Sequence, residues 1–436
     1  NITSRQLNSN AFLTYNKQFE NSLSVDAVIG NEVYDQHTNV ESSTGSNLIT
    51  GGWANLANAA NISASNRISR QRIVGFYANV NLGWQEKFFL NASGRNDYVS
   101  NMPSGSRSFF YPSVGGSVIL TNVVPQLESV FSFAKLRASF AEVGQAGNLF
   151  VNGTGFVGNN PSYFTFPFNG LTSFTQQSTR INPNLKPENT RSMEFGFDFR
   201  FMDERIALDY TYFDSRSEGQ IFSVPLALST GAANEIRNAG EMVSSGHEIV
   251  LNIIPFRTED FQWDFITNFT AFENKVVSLA EGVERIDIND GVIVAEAGYD
   301  YPSILATGYF KDPATGMDIV LNDPSSARHG MPIMDPTPKI VGSTVPDFNM
   351  NFINSFSYKN LTLSVQVDWR SGGQLFSKSY VETRVRGVNG VTRDRDEDVI
   401  LPAMKGNIVD GNLVVEGVND IAINKAREYY YAIGTW

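Results

Sequence analysis

The ten residues 361–370, LTLSVQVDWR, alternate without a break. Leu361, Leu363, Val365, Val367 and Trp369 share one side, and Thr362, Ser364, Gln366, Asp368 and Arg370 the other. Successive side chains of a strand point to opposite faces, so this is one apolar face backed by one polar face. One such strand would suit a soluble sandwich. Here the pattern recurs near 9–19, 22–34, 70–84, 87–99, 108–120, 132–143, 190–201, 205–214, 245–255, 261–276, 347–358 and 361–373. Each segment is near membrane-spanning length, which makes the apolar faces candidates for lipid contact.

The connections alternate as well. Short ones fall at 17–21, 84–87, 202–204, 255–260 and 359–360, with 121–131 intermediate but in the short series. Long ones fall at 36–69, 96–107, 144–189, 215–243 and 277–346. Short turns on one side and long loops on the other are the asymmetry of an outer-membrane barrel, whose long loops lie outside the cell. Trp84, Phe88, Phe201, Phe261, Trp263 and Tyr358 cluster at the short-turn ends, where aromatic rings rest at a lipid–water boundary. The alternative is that these rings cap a soluble core. The expected fold is therefore all-β, an antiparallel transmembrane β-barrel with long extracellular loops and short periplasmic turns. Membrane lipid and lipopolysaccharide are its expected surroundings.

Composition narrows the function. No apolar run is long enough for a membrane helix. The absence of cysteine removes disulfides, thiolate chemistry and the usual zinc sites. A net charge of −12 argues against nucleic acid, which needs clustered Lys and Arg. The polar start at Asn1, with no Met and no leader, suggests numbering that begins inside a longer precursor. Twelve strands leave an edge that cannot face lipid, so partner strands are expected elsewhere in that precursor, the alternative being further weak strands within this chain. Of residues 374–436, the stretch up to Glu428-Tyr-Tyr-Tyr431 reads as loop.

Asn182-Pro-Asn-Leu-Lys-Pro-Glu188 before a strand resembles a segment of TonB-dependent outer-membrane receptors. Lys135-Leu-Arg-Ala-Ser-Phe140 with Val143-Gly144, and Val224-Pro-Leu-Ala-Leu-Ser-Thr-Gly231, are similar to segments of the SusC/RagA-type transporters of Bacteroidetes. So are Asn238-Ala-Gly-Glu241 with Gly246-His-Glu-Ile249, Pro346-Asp-Phe348 and Asp368-Trp-Arg-Ser-Gly-Gly373. The segments keep the family order, although Pro187 stands where that branch often has Trp. The resemblance implies a barrel of about 22 strands around a plug. It also implies a TonB box coupled to the inner membrane, a SusD-like surface lipoprotein as lid, and oligosaccharide or peptide cargo. On that reading residues 1–436 are a partial barrel domain, and the plug and TonB box lie outside this chain. No enzymatic activity is implied.

Other motifs are weak. Gly153-Thr-Gly155-Phe-Val-Gly158 matches a dinucleotide fingerprint, but it sits in an Asn/Gly-rich loop with no helix to follow. Ser132-Phe-Ala-Lys135 matches the S-x-x-K of penicillin-recognising enzymes but opens a strand, and no K-T-G follows. His37, His247 and His329 are scattered. Residues 393–398 read as a solvated charged loop. No cofactor is expected, with one reservation. Asp287-Ile-Asn-Asp290-Gly291 offers oxygen donors for calcium in an extracellular loop, but it lacks EF-hand spacing and reads first as a solvated turn.

The aromatic loop 150–174 is more informative. Phe156, Tyr163, Phe164, Phe166, Phe168 and Phe174 lie among Asn, Gly, Ser and Thr, a mixture suited to a sugar ring, a peptide or the underside of a lid. A self-packed loop is the alternative. Trp53 carries a weaker version of the same argument. Lys135, Arg137, Gln366, Asp368 and Arg370 are the candidate lumen wall. Three functions compete: energised import, a passive porin or adhesin of the same membrane, and a soluble carbohydrate-binding or hydrolytic β protein. The last needs a pair of catalytic carboxylates, and no spacing nominates one.

Overall fold

The computed structural model describes residues 1–147, 156–157, 174–289, 292–393 and 395–424. Twelve strands form one antiparallel sheet in which each pairs with its neighbours in sequence order. They are numbered in chain order: β1 Ile2–Gln18, β2 Leu23–Leu48, β3 Ala59–Trp84, β4 Phe88–Val99, β5 Ser108–Ile119 and β6 Phe133–Gln145. After the first large loop come β7 Glu188–Phe201, β8 Ile206–Glu218, β9 Glu241–Arg257, β10 Phe261–Ser278, β11 Pro346–Tyr358 and β12 Leu361–Gly372. Every alternating segment of the sequence is one of these strands. Among the described residues the sheet is open, with β1 and β12 each paired on one side.

Register carries the two faces across the sheet, because directly paired residues share a side. Trp84 pairs with Phe88, Phe88 with Val118, Val118 with Leu136, Leu136 with Phe197 and Phe197 with Tyr210. That face is bare: Leu13 is 75% exposed, Leu361 70% and Phe195 56%. So continuous an apolar surface does not stay in water, and lipid is the solvent that suits it. The expected rings at the short-turn ends all fall on this face. Trp84 stacks on Phe88 at 5.8 Å, Trp263 on Phe356 at 5.5 Å, and Phe261 pairs with Tyr358.

Turn geometry follows the asymmetry. Lys359, in the two-residue turn before β12, has φ 51°, and Gln85 and Glu86 before β4 have 55° and 54°. These left-handed backbones match the twist of tight hairpins. The intermediate connection 120–132 holds a helical turn Leu120–Val123 and a 3-10 turn Pro125–Ser129.

At the other end the structure departs from the sequence reading. The segment 36–69 is not a loop. β2 and β3 stay paired as far as Leu48–Ala59, so only 49–58 connects them. Beyond the lipid both faces meet water, the apolar–polar alternation fades, and a strand there leaves no period-two signal. The stretch 374–424 is likewise structured. It holds a helix Lys378–Val385, a hairpin of Met404–Val409 with Asn412–Val418, and a pairing of Asp398–Ile400 with Ala422–Asn424.

The chain divides into two compact units, residues 1–284 with 348–370, and 285–347 with 371–436. The second has an ordinary hydrophobic core that includes Val294, Ile304, Ile319, Val320 and Met331, each at most 2% exposed. In the first, a small core of Val99, Met102, Ile181, Leu185 and Ile236 gathers at the long-loop end.

Candidate functional site

The face opposite the apolar one is the candidate site, and the nominated lumen-wall residues all lie on it. On β6, Lys135 and Arg137 pair with Asp198 and Gly196 of β7. On β12, Gln366 Nε2 donates to Asp368 at 3.2 Å, and Asp368 accepts from Asn351 of β11. Arg370 lies further along β12 on the same side, and its side chain is exposed.

Glycines let this wall interlock. Arg137 does not project outward but lies across Gly196 to reach β8. There it donates to both oxygens of Asp209, at 2.8 and 2.6 Å, and to the Thr211 hydroxyl at 2.6 Å. A Cβ at residue 196 would stand 2.8 Å from Arg137 Nε and 2.6 Å from the Tyr210 carbonyl oxygen. Only glycine leaves that path open. Arg95 of β4 repeats the device. It crosses Gly75 of β3 to Glu32 of β2 at 2.8 Å, while its Nε donates to Asp97 at 2.8 Å. Tyr77 of β3 lies over Gly30 of β2 and donates to Asn10 of β1 at 2.9 Å. Long polar side chains are thus held flat, each spanning three strands, and the wall stays low.

Between these two networks the wall dips. A cavity of about 330 Å³ is lined by Asp26, Asn81, Asn91, Ser117, Lys135 and Glu194, among others. Gly83, Gly115 and Ser139 at its floor make room for it. It presents carboxylates, amides and the Lys135 ammonium together, a surface for polar contacts rather than for bond-breaking.

The long-loop end is tied down by the segments that carry the family resemblance. Leu185 is fully buried in the small core. Asn238 accepts from the Lys186 amide at 2.8 Å, and donates to the Lys186 and Gly219 carbonyls at 2.8 and 2.6 Å. Glu188 accepts from the Ile221 amide at 2.8 Å. The strand Thr179–Ile181 then pairs in parallel with Asn234–Asn238, which pairs with Ile221–Pro225. These motif residues therefore fasten loops to the rim.

Of the aromatic candidates, Phe174 is 72% exposed and Trp53 53% exposed. Phe156 lies in a two-residue strand paired with Thr175–Gln176. Tyr163, Phe164, Phe166 and Phe168 lie outside the described residues. In the calcium-like turn Asp287 is ion-paired to Arg285 at 3.2 Å, and Asp290 and Gly291 lie outside the described residues. Among the described residues no group of three or more His, Asp or Glu side chains is placed to hold a metal. In the second unit, Asp335 is held below the usual carboxylate range by Lys339, at 2.7 Å, and the Thr337 amide; Thr315 does the same for Asp312. Both brace turns. Sequence reading passed over Glu32, Asp209 and Gly196, though the same period-two count that found Arg137 puts them on its face.

Comparison with known proteins gives a consistent result. A model of the family described as TonB dependent receptor-like, beta-barrel matches residues 2–398. TonB-dependent receptor P3 of Formosa agariphila is 23% identical over 95% of this chain and 44% of its own length. TonB-dependent receptor SusC of Bacteroides thetaiotaomicron is 27% identical over 49% of this chain and 22% of its own length. The chain thus spans less than half the length of the curated relatives it matches. A solved structure of the RagAB peptide transporter superposes with a TM-score of 0.71 at 18% identity, covering 88% of this chain and 43% of that one.

Proposed function

Since this chain belongs to the TonB dependent receptor-like β-barrel family, we propose that it forms wall and loops of an energised outer-membrane importer. The family is one of transporters rather than enzymes, and its barrels reside in the outer membrane. The cargo class on this reading is an oligosaccharide or a peptide. A SusD-like lipoprotein lids the loops, and the TonB complex acts through a plug that closes the barrel.

One observation carries the reading: a flat, interlocked polar wall stands directly behind the lipid face. A plug that must be remodelled for passage needs such a wall, low enough to pack against and rigid enough to keep its shape. The similarity to SusC and to the RagAB peptide transporter supports the cargo class.

The test is uptake of fluorescently labelled oligosaccharide and peptide libraries by the native strain, a deletion strain and its complement, each with and without a protonophore. Import that is lost on deletion and abolished by the protonophore is the expected outcome. Uptake that ignores the protonophore would point to a passive pore, and unchanged uptake in the deletion strain would overturn the reading.

A further inference from the structure

The apolar face ends, on β1 to β3, in a group of cations. Climbing this face from Trp84 and Leu23, the β3 residues are Leu82, Val80, Ala78, Phe76, Val74, Arg72 and Arg70. Asp35 and His37 stand opposite the two arginines on β2, and Leu7 and Arg5 opposite these on β1. Asp35 is 9% exposed and takes both arginines at once. Arg70 donates through Nε at 3.1 Å and Nη2 at 2.7 Å, and Arg72 through Nε at 2.7 Å. One carboxylate between two guanidiniums leaves a positive excess. Both arginine side chains remain more than half exposed, and Arg5 is exposed beside them. Glu41 is the next acid on this face, six residues beyond Asp35 along β2.

The height of this group is set by the backbone. Twelve residues separate Trp84 from Arg72, about 40 Å along a strand, or about 30 Å of height at a barrel tilt of about 40°. The apolar band of such barrels is about 25 Å tall, so the guanidiniums stand at its outer boundary. Just below them Tyr98 (50% exposed), Phe110 (62%) and Phe76 (53%) offer apolar ground. Elsewhere the boundary has the opposite character. On β6 to β10, Glu142, Asp214, Glu218, Glu241 and Glu273 outnumber Arg191, Arg216 and Lys275 on the same face.

We propose that Arg5, Arg70 and Arg72, set by Asp35, bind the phosphorylated head group of an outer-leaflet glycolipid whose acyl chains lie along Phe76, Tyr98 and Phe110. Guanidinium forks match phosphate oxygens bidentately, and Asp35 holds two of them in one orientation before the lipid arrives. The proposal rests on the reading of the long-loop side as extracellular.

The experiment uses the full-length protein extracted from its own membrane. Bisphosphorylated lipid A, its dephosphorylated form and inorganic phosphate serve as probes in native mass spectrometry. The triple change R70Q/R72Q/D35N removes the cluster without stranding a buried carboxylate, and R5E reverses an exposed charge; heat-modifiable gel mobility confirms that each variant is folded. Ser63→Cys, read against the unsubstituted full-length protein, reports orientation through an impermeant maleimide on intact cells. The expected result is surface labelling, with lipid A retention falling about tenfold or more in both variants and no displacement by millimolar phosphate. Labelling with undiminished retention would overturn the lipid site alone. Equal retention of dephosphorylated lipid A, or full displacement by phosphate, would also overturn it. No labelling would overturn the orientation and the site together.

Discussion

A glycine decides where Arg137 can go. The carboxylate it reaches belongs to the second strand over, and the path crosses the Cα of residue 196. An alanine there meets the backbone carbonyl of Tyr210 as well as Arg137, and the carbonyl cannot swing aside. Gly196→Ala is therefore expected to destabilise the barrel by about 1–3 kcal/mol, as overpacking does. The unfolding midpoint in urea with detergent would measure it, with Gly115→Ala as control. A Cβ at Gly115 meets nothing closer than 3.5 Å, so that change should be nearly silent.

At the scale of elements, the loops are held to the rim by a small core, short strand pairings and side-chain hydrogen bonds. Asn238 joins the 219–240 loop to the 182–188 segment through two hydrogen bonds of 2.8 Å with Lys186, and a third of 2.6 Å to Gly219 closes its own loop. Asn238→Ala should cost about 2–4 kcal/mol locally, from lost bonds and from partners left unsatisfied at the rim. Limited proteolysis of the intact protein would show earlier cutting in 219–240 while the β-sheet circular dichroism stays unchanged. Elements were legible from sequence to very different degrees. All twelve sheet strands announced themselves, because each separates lipid from a polar interior. The outer halves of β2 and β3 did not, since water on both sides imposes no alternation. The hairpin 404–418 carried a signal that was passed over: Asp410-Gly411, with φ of 51° and 79°, is a pair that favours a tight turn.

For the whole molecule the controlling fact is the open sheet. Among the described residues β1 and β12 are each paired on one side only, which leaves a row of backbone donors and acceptors that hydrocarbon does not tolerate. The 436-residue chain refolded alone in detergent should therefore give no heat-modifiable monomeric band on a semi-native gel. Adding further barrel strands in the same chain should restore it.

Local chemistry was enough to specify the strand positions, the two faces and the side of the short turns, because a two-residue period depends only on what each face touches. It also placed Lys135, Arg137, Gln366, Asp368 and Arg370 on the polar face. Which side chains meet was decided by register, a relation between residues far apart in the chain. Only pairing puts Gly196 between Arg137 and Asp209, or sets Arg70 and Arg72 around Asp35 at the edge of the lipid.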